Sequence, residues 1–126
     1  MLKVSNSLHV SKALKEVILS ILSDKNASDI VAIDLAGKSD LADFMIIASG
    51  NNARHVGAVA DHVVEAIKNT GVTSVASEGQ GSGEWAIIDT PLVIVHVFHP
   101  DVRPLYNLEK MWEVVIPEAE MVEHVF

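Results

Sequence analysis

Six histidines, seven glycines and a set of strand acids are the residues of this 126-residue chain whose types invite chemistry. His55 and His62 stand seven apart on an expected helix, so they share a side but lie about 10 Å apart along its axis at ~1.5 Å per residue. One metal ion cannot bridge that gap without a ligand from elsewhere, and no histidine pair has the i, i+4 spacing of a helical zinc site. His96 and His99 point to opposite faces of a strand or its end. Gly79-x-Gly81-x-Gly83 has the spacing of a phosphate cradle. Such a cradle needs a helix behind it, with its first amides facing the anion. Here a strand begins at Trp85 instead, and no Lys-Ser/Thr pair follows the glycines. The loop reads as a flexible hairpin connection. Gly81-Ser82-Gly83 lacks the Gly-x-Ser-x-Gly elbow of a serine nucleophile. Two-metal phosphoryl transfer wants acids one apart on a strand and a Gly-Ser loop. Asp34, Asp43 and Asp89 are isolated from one another, Ser49-Gly50 runs in reverse order, and the one acid-x-acid pair, Glu118 and Glu120, falls in the tail. The reading is of a chain with no catalytic residue, no metal and no cofactor.

Composition narrows the class further. The formal net charge is −8 and the sequence pI about 5.0. A bare nucleic-acid binder needs a basic stripe for phosphate, so direct nucleic-acid readout is not expected. The sign suits a basic protein partner. There are no cysteines, which excludes disulfides and thiolate metal sites and is compatible with a reducing cytoplasm. No apolar run reaches the ~18 residues of a membrane span, and Met1–Ser11 lacks the apolar region of a signal peptide. A cytoplasmic chain with no membrane partner is the expectation. Length predicts one domain, residues 1–117, with residues 118–126 as a flexible acidic tail.

The elements that must position these residues follow from periodicity. A first helix is expected over Ser11–Ser23, capped by Ser11, with Leu14, Val17, Ile18, Ile21 and Leu22 on one side. Strands follow at Ile30–Leu35 and Phe44–Ser49, joined by a turn short enough to make them antiparallel neighbours. A second helix spans Ala53–Asn69, with Asn51 or Asn52 as cap, a stripe of Val56, Val59, Ala60, Val63 and Ile67, and Gly71 as stop. A short strand lies near Val75. A hairpin then runs from Trp85–Asp89 to Leu92–His99 through Thr90-Pro91, with Asp89 set opposite Leu92 and Trp85 opposite His96. A third helix follows Pro100, with Leu105, Leu108, Trp112 and Val115 on one side and Pro117 as stop. Arg103 sits at its N-terminus, where the dipole disfavours a cation, which implies that it answers an acid such as Asp89 or Glu109. The fold class is α/β, a mixed sheet of about five strands flanked by helices.

Side chains alternate along a strand, so the hairpin has two unlike faces. Ala86, Ile88, Val93, Val95 and Val97 make one wholly aliphatic face, read as core. Trp85, Ile87, Asp89, Leu92, Ile94, His96 and Phe98 make the other, a mixed face open to a helix or a partner.

The segment Gly83–Trp112, with its Trp at a strand start, its Ile-Val-His-Val-Phe strand and its Arg-x-Leu-Tyr-x-Leu-Glu-Lys-x-Trp helix, resembles the ribosome silencing factor family, also called Iojap-like. Ala32-Ile33-Asp34-Leu35, Gly37-Lys38-Ser39, Asp43–Ile47, Ser49-Gly50, Arg54-His55-Val56 and Ala60-Asp61-His62-Val63 agree in order and spacing, so the resemblance covers roughly Leu14 to Val115. It implies a nucleotidyltransferase-like fold and a non-enzymatic protein. Such a protein would dock on the large ribosomal subunit through its ribosomal protein fourteen and sterically block joining of the small subunit, repressing translation. Two other classes stay open: a nucleotide-dependent transferase that retains the scaffold, and a module that self-associates, with a homodimer when free. Parity and helix faces, rather than the family, nominate the partner-binding residues. Trp85, Ile87, His96, Phe98 and Tyr106, with Met45 nearby, would form an apolar centre; Asp89 and Glu109 would form an acidic rim for Lys or Arg of the partner.

Overall fold

The computed structural model describes residues 2–103 and 122–125, with side chains from Val10 to Arg103. The elements in order are α1 (Leu2–Asp24), β1 (Ser28–Asp34), β2 (Phe44–Ser49), α2 (Ala53–Asn69), β3 (Ala76–Glu78), β4 (Trp85–Asp89), β5 (Val93–Phe98) and β6 (Val122–Val125). The strands form one six-stranded mixed sheet in the order β3-β4-β5-β2-β1-β6. Among the described residues, β2 and β5 run parallel and every other neighbouring pair is antiparallel.

α1 and α2 lie on one face of this sheet. The aliphatic face of the hairpin (Ala86, Ile88, Val93, Val95, Val97) is fully buried there with Leu14, Ile18 and Leu22 of α1 and Val56, Val59, Val63 and Ile67 of α2. Each such side chain removed from water contributes about 1.5–3 kcal/mol, so this layer dominates the driving force for folding. Val17 and Ile21, expected in the α1 stripe, are only half-buried. They line the shallow groove toward Ala66 and Thr70 of α2, while Leu19 and Ser11 take core positions.

β1 and β5 are Ser28–Asp34 and Val93–Phe98 where Ile30–Leu35 and Leu92–His99 were expected, and three larger features also differ from the sequence expectation. α1 runs 23 residues and begins at Leu2, because nothing in Leu2–Val10 is a glycine or proline that would stop it. Ser11 is therefore interior rather than a cap, and its buried hydroxyl donates to the Asp43 carboxylate. The tail assigned to a loose segment instead supplies β6, which pairs antiparallel with Ile30–Ile33. Without a neighbour there, β1 would leave a row of backbone donors and acceptors open. The hairpin register also moves: Trp85 faces Phe98, Ile87 faces His96 and Asp89 faces Ile94. Thr90 explains this. Its amide donates to the Val93 carbonyl at 3.2 Å, and its Oγ1 accepts from the amides of Leu92 and Val93. The two-residue loop is thus Pro91-Leu92, and Leu92 leaves the strand to pack against the helix-side core. A slip of two preserves side-chain parity, so both faces of the hairpin keep their membership apart from Leu92, which was expected on the mixed face and now lies in the turn against the other layer.

α2 matches its expected bounds. Asn52 caps it by accepting from the His55 amide at 2.9 Å, and Thr70 closes the other end ahead of Gly71, whose φ is +96°. The glycine loop is not a slack connection. Gly83 has φ +68° and packs so closely on Ala53 that a Cβ there would stand 2.3 Å from the Ala53 carbonyl oxygen. Only a residue without a side chain permits that approach. The expected third helix, with Leu105, Leu108, Trp112 and Val115, lies outside the described residues. Among the described residues, no helix is long and apolar enough to cross a membrane.

Candidate docking face

Opposite α1 and α2 lies the second face of the sheet, buried over β1, β2 and much of β5 and open toward β3 and β4. Register aligns its residues in rows across the strands. One row reads Glu78, Ile87, His96, Ile47 and Val31. The next reads Ala76, Asp89, Ile94, Met45 and Ile33, and a third carries Trp85, Phe98 and Ser49. Val31, Ile33, Leu35, Met45, Ile47 and Phe98 form an apolar cluster of their own, with Trp85 and Val102 against it.

At one end stands a ladder of three rings. The Trp85 indole stacks on Phe98 with centroids 5.0 Å apart and planes 23° apart. His96 lies 5.8 Å from Trp85 and 6.1 Å from Phe98. The indole Nε1–H donates to His96 Nδ1 at 3.0 Å, which fixes the imidazole as the neutral Nε2–H tautomer. Burial pushes the His96 imidazole down from its ordinary value to about 4.

The nominated residues do not all reach the surface. Phe98 is 1% exposed, Met45 4% and His96 8%, so these three are buried in the layer rather than presented as the expected apolar centre. Trp85, Ile87 and Ile94 are half-buried, and Asp89 and Glu78 are exposed. Tyr106 and Glu109 lie outside the described residues. Arg103 is placed away from Asp89, at the Ser49 end of the sheet. Its Nη1 donates to the Asp29 carbonyl at 2.7 Å and to Ser49 Oγ at 2.8 Å. It thereby pins the irregular turn of β1, where the register shifts between Ser28 and Val31 and Asp29 has φ +49°.

The other chemistry-bearing residues are structural in their contacts. His55 Nδ1 accepts from the Asn51 amide at 2.8 Å, so its Nε2–H faces the Lys25 carbonyl at 2.7 Å and ties the end of α1 to the start of α2. Gly79–Gly83 precedes a strand, and Ser82 Oγ is spent on the Gly79 carbonyl. Among the described residues, no group of three or more His, Asp or Glu could hold a metal ion.

The family model described as "Ribosomal silencing factor during starvation" (RsfS) matches residues 9–125. The chain belongs to the RsfS family. It is 43% identical to the ribosomal silencing factor RsfS of Zymomonas mobilis over 79% of this chain and 74% of that protein. It is 37% identical to the Bacillus subtilis factor over 80% and 86%. A mouse protein named for mitochondrial assembly of the ribosomal large subunit is 30% identical over 77% of this chain, which spans 44% of that longer protein. A crystal structure from Chromobacterium violaceum superposes with a TM-score of 0.77 at 37% identity, covering 80% of this chain and 84% of that one. A Bacillus halodurans structure does so with a TM-score of 0.72 at 35% identity over 80% and 94%.

Within this RsfS-family sheet, sequence reasoning passed over Glu78, Ile47, Val31 and Ile33. Parity along Phe44–Ser49 was enough to put Ile47 on the same face as Met45; its place beside His96 comes from the β2–β5 register. Glu78 had no such signal, because a strand of three residues leaves no alternation to read.

Proposed function

We propose that this chain silences translation by docking on the large ribosomal subunit through ribosomal protein fourteen and blocking access of the small subunit. The observation that carries the reading is the family match over residues 9–125. Occlusion needs bulk and a complementary patch, and no catalytic residue. The relatives are named for a regulatory role rather than a reaction. A preformed face supports the reading: a rigid aromatic ladder, half-buried Ile87 and Ile94, and exposed acids at the margin. A net charge of −8 suits a basic ribosomal protein and opposes direct gripping of RNA. The site of action is the cytoplasm, and the free chain either remains single or self-associates through the same face.

The test is sedimentation of purified small and large subunits with increasing amounts of the chain. The chain travels with the large subunit, and the joined particle declines in proportion. Unchanged joining at saturating chain overturns the proposal.

A further inference from the structure

β3 ends the sheet, with β4 as its neighbour, and Ala76, Ser77 and Glu78 are all exposed. Half the amides and carbonyls of such a strand point away from the sheet. Beside it opens a cleft of about 390 Å³ lined by Leu41, Ser74, Ala76, Asp89 and Pro91, among others. Its walls are of two kinds. Leu41 is 58% exposed and apolar, and Asp89 offers a carboxylate. A long cationic side chain fits both, with its stem along Leu41 and Pro91 and its head at Asp89.

We propose that the β3 edge and this cleft accept an extended segment carrying Lys or Arg at alternate positions, added to the sheet as a seventh strand. This rests on the docking reading above, and the segment comes from the docked ribosomal protein. The spacing follows from register. Ala76 shares a row with Asp89, and Glu78 lies two residues further on the same face, about 7 Å along the strand. An incoming strand with cations two apart therefore meets one acid per cation. Main-chain hydrogen bonds supply affinity and the two acids supply register and partner choice. The same acids disfavour a second copy of this chain at the edge, since like charges would meet across the new pair on a molecule of net charge −8.

Two measurements test it. In the first, the isotope-labelled full chain is titrated with a synthetic hexapeptide alternating valine and lysine. Amide shifts concentrate on Val75–Glu78, Leu41 and Asp89. The double variant Glu78→Gln/Asp89→Asn, both exposed sites that leave the melting temperature unchanged, weakens the peptide about fivefold. A valine–glutamate peptide gives no shifts. In the second, the chain is bound to purified large subunits: β3 amides gain protection from hydrogen exchange, and the double variant binds less tightly with a flatter salt dependence. Shifts that fall elsewhere, or an unaltered double variant, overturn the edge assignment. So does a stable dimer that protects β3. A chain that shifts with the lysine peptide but does not bind large subunits overturns the docking reading alone.

Discussion

The Trp85 indole donates its proton to the Nδ1 lone pair of His96 at 3.0 Å, across β4 and β5 and one row out of direct register. The bond exists only while that nitrogen is unprotonated. Acid therefore attacks the face and the fold together.

His96 is held to about 4 by burial, against 6.5 for a free imidazole. A base whose folded value lies below its unfolded value loses stability as pH falls. Above 6.5 both states are neutral and the full stability is present. Between there and 4 only the unfolded chain takes up the proton, and below 4 the loss levels off. That gap corresponds to roughly 3 kcal/mol. Urea unfolding at pH 7.5 and pH 4.5 should show the native chain losing about 2 kcal/mol or more beyond His96→Gln, whose amide oxygen still accepts from Trp85. Equal losses would mean that His96 is not held neutral.

Trp85 separates packing from docking. Trp85→Phe keeps a ring against Phe98 but leaves Nδ1 of a buried imidazole without its donor, so stability drops by about 1–3 kcal/mol. Trp85→Ala also removes the half-buried ring from the docking face. It should cost ~2 kcal/mol or more of affinity for large subunits, where Asp89→Asn, at an exposed position, costs less. Affinities ranked the other way round, in variants that keep a cooperative melt, would move the anchor away from the ring ladder.

Two glycines with similar backbones make a second contrast. Gly37 has φ +75° and open space around it, whereas Gly83 has φ +68° and the Ala53 carbonyl in the way. Gly37→Ala should cost only the left-handed strain, about 1–2 kcal/mol. Gly83→Ala adds a backbone clash at the start of α2 and should cost considerably more. Thermal melting decides it: equal shifts would show that the loop moves aside freely.

How much of this was legible depended on whether the signal was local. Ala53–Asn69 carries a cap, an apolar stripe and a stop in its own residues, and Phe44–Ser49 and Trp85–Asp89 are bounded by glycines and turn residues, so these three kept their expected limits. Apart from Leu92, the two faces of the hairpin survived a wrong register because parity repeats every two residues. What could not be read was set by distant partners. β6 pairs with β1 from the far end of the chain, Arg103 reaches the Asp29 carbonyl and Ser49 Oγ, and Phe98 and Met45 are buried on a face they were expected to present. Glu78 joins that face only through its pairing with Ile87.

Thr90 is where a single hydroxyl sets the hairpin. It is 2% exposed, and its Oγ1 accepts from the Leu92 amide at 3.2 Å and the Val93 amide at 2.8 Å while donating to the Val93 carbonyl at 2.8 Å. Thr90→Val keeps the shape and removes all three bonds, leaving two amides without that acceptor in a closed turn. The cost should be about 2–3 kcal/mol, since each buried unsatisfied group loses roughly 1–3 kcal/mol. Thr90→Ser keeps the hydroxyl and forfeits one methyl, about 1 kcal/mol. Chemical denaturation of the two variants checks the order. Because this turn fixes which residue of β5 faces Trp85, Thr90→Val should also weaken docking on large subunits at temperatures where it remains folded, and Thr90→Ser should not. If Thr90→Val were as stable as Thr90→Ser, the register would have to be held by the strand pairs alone.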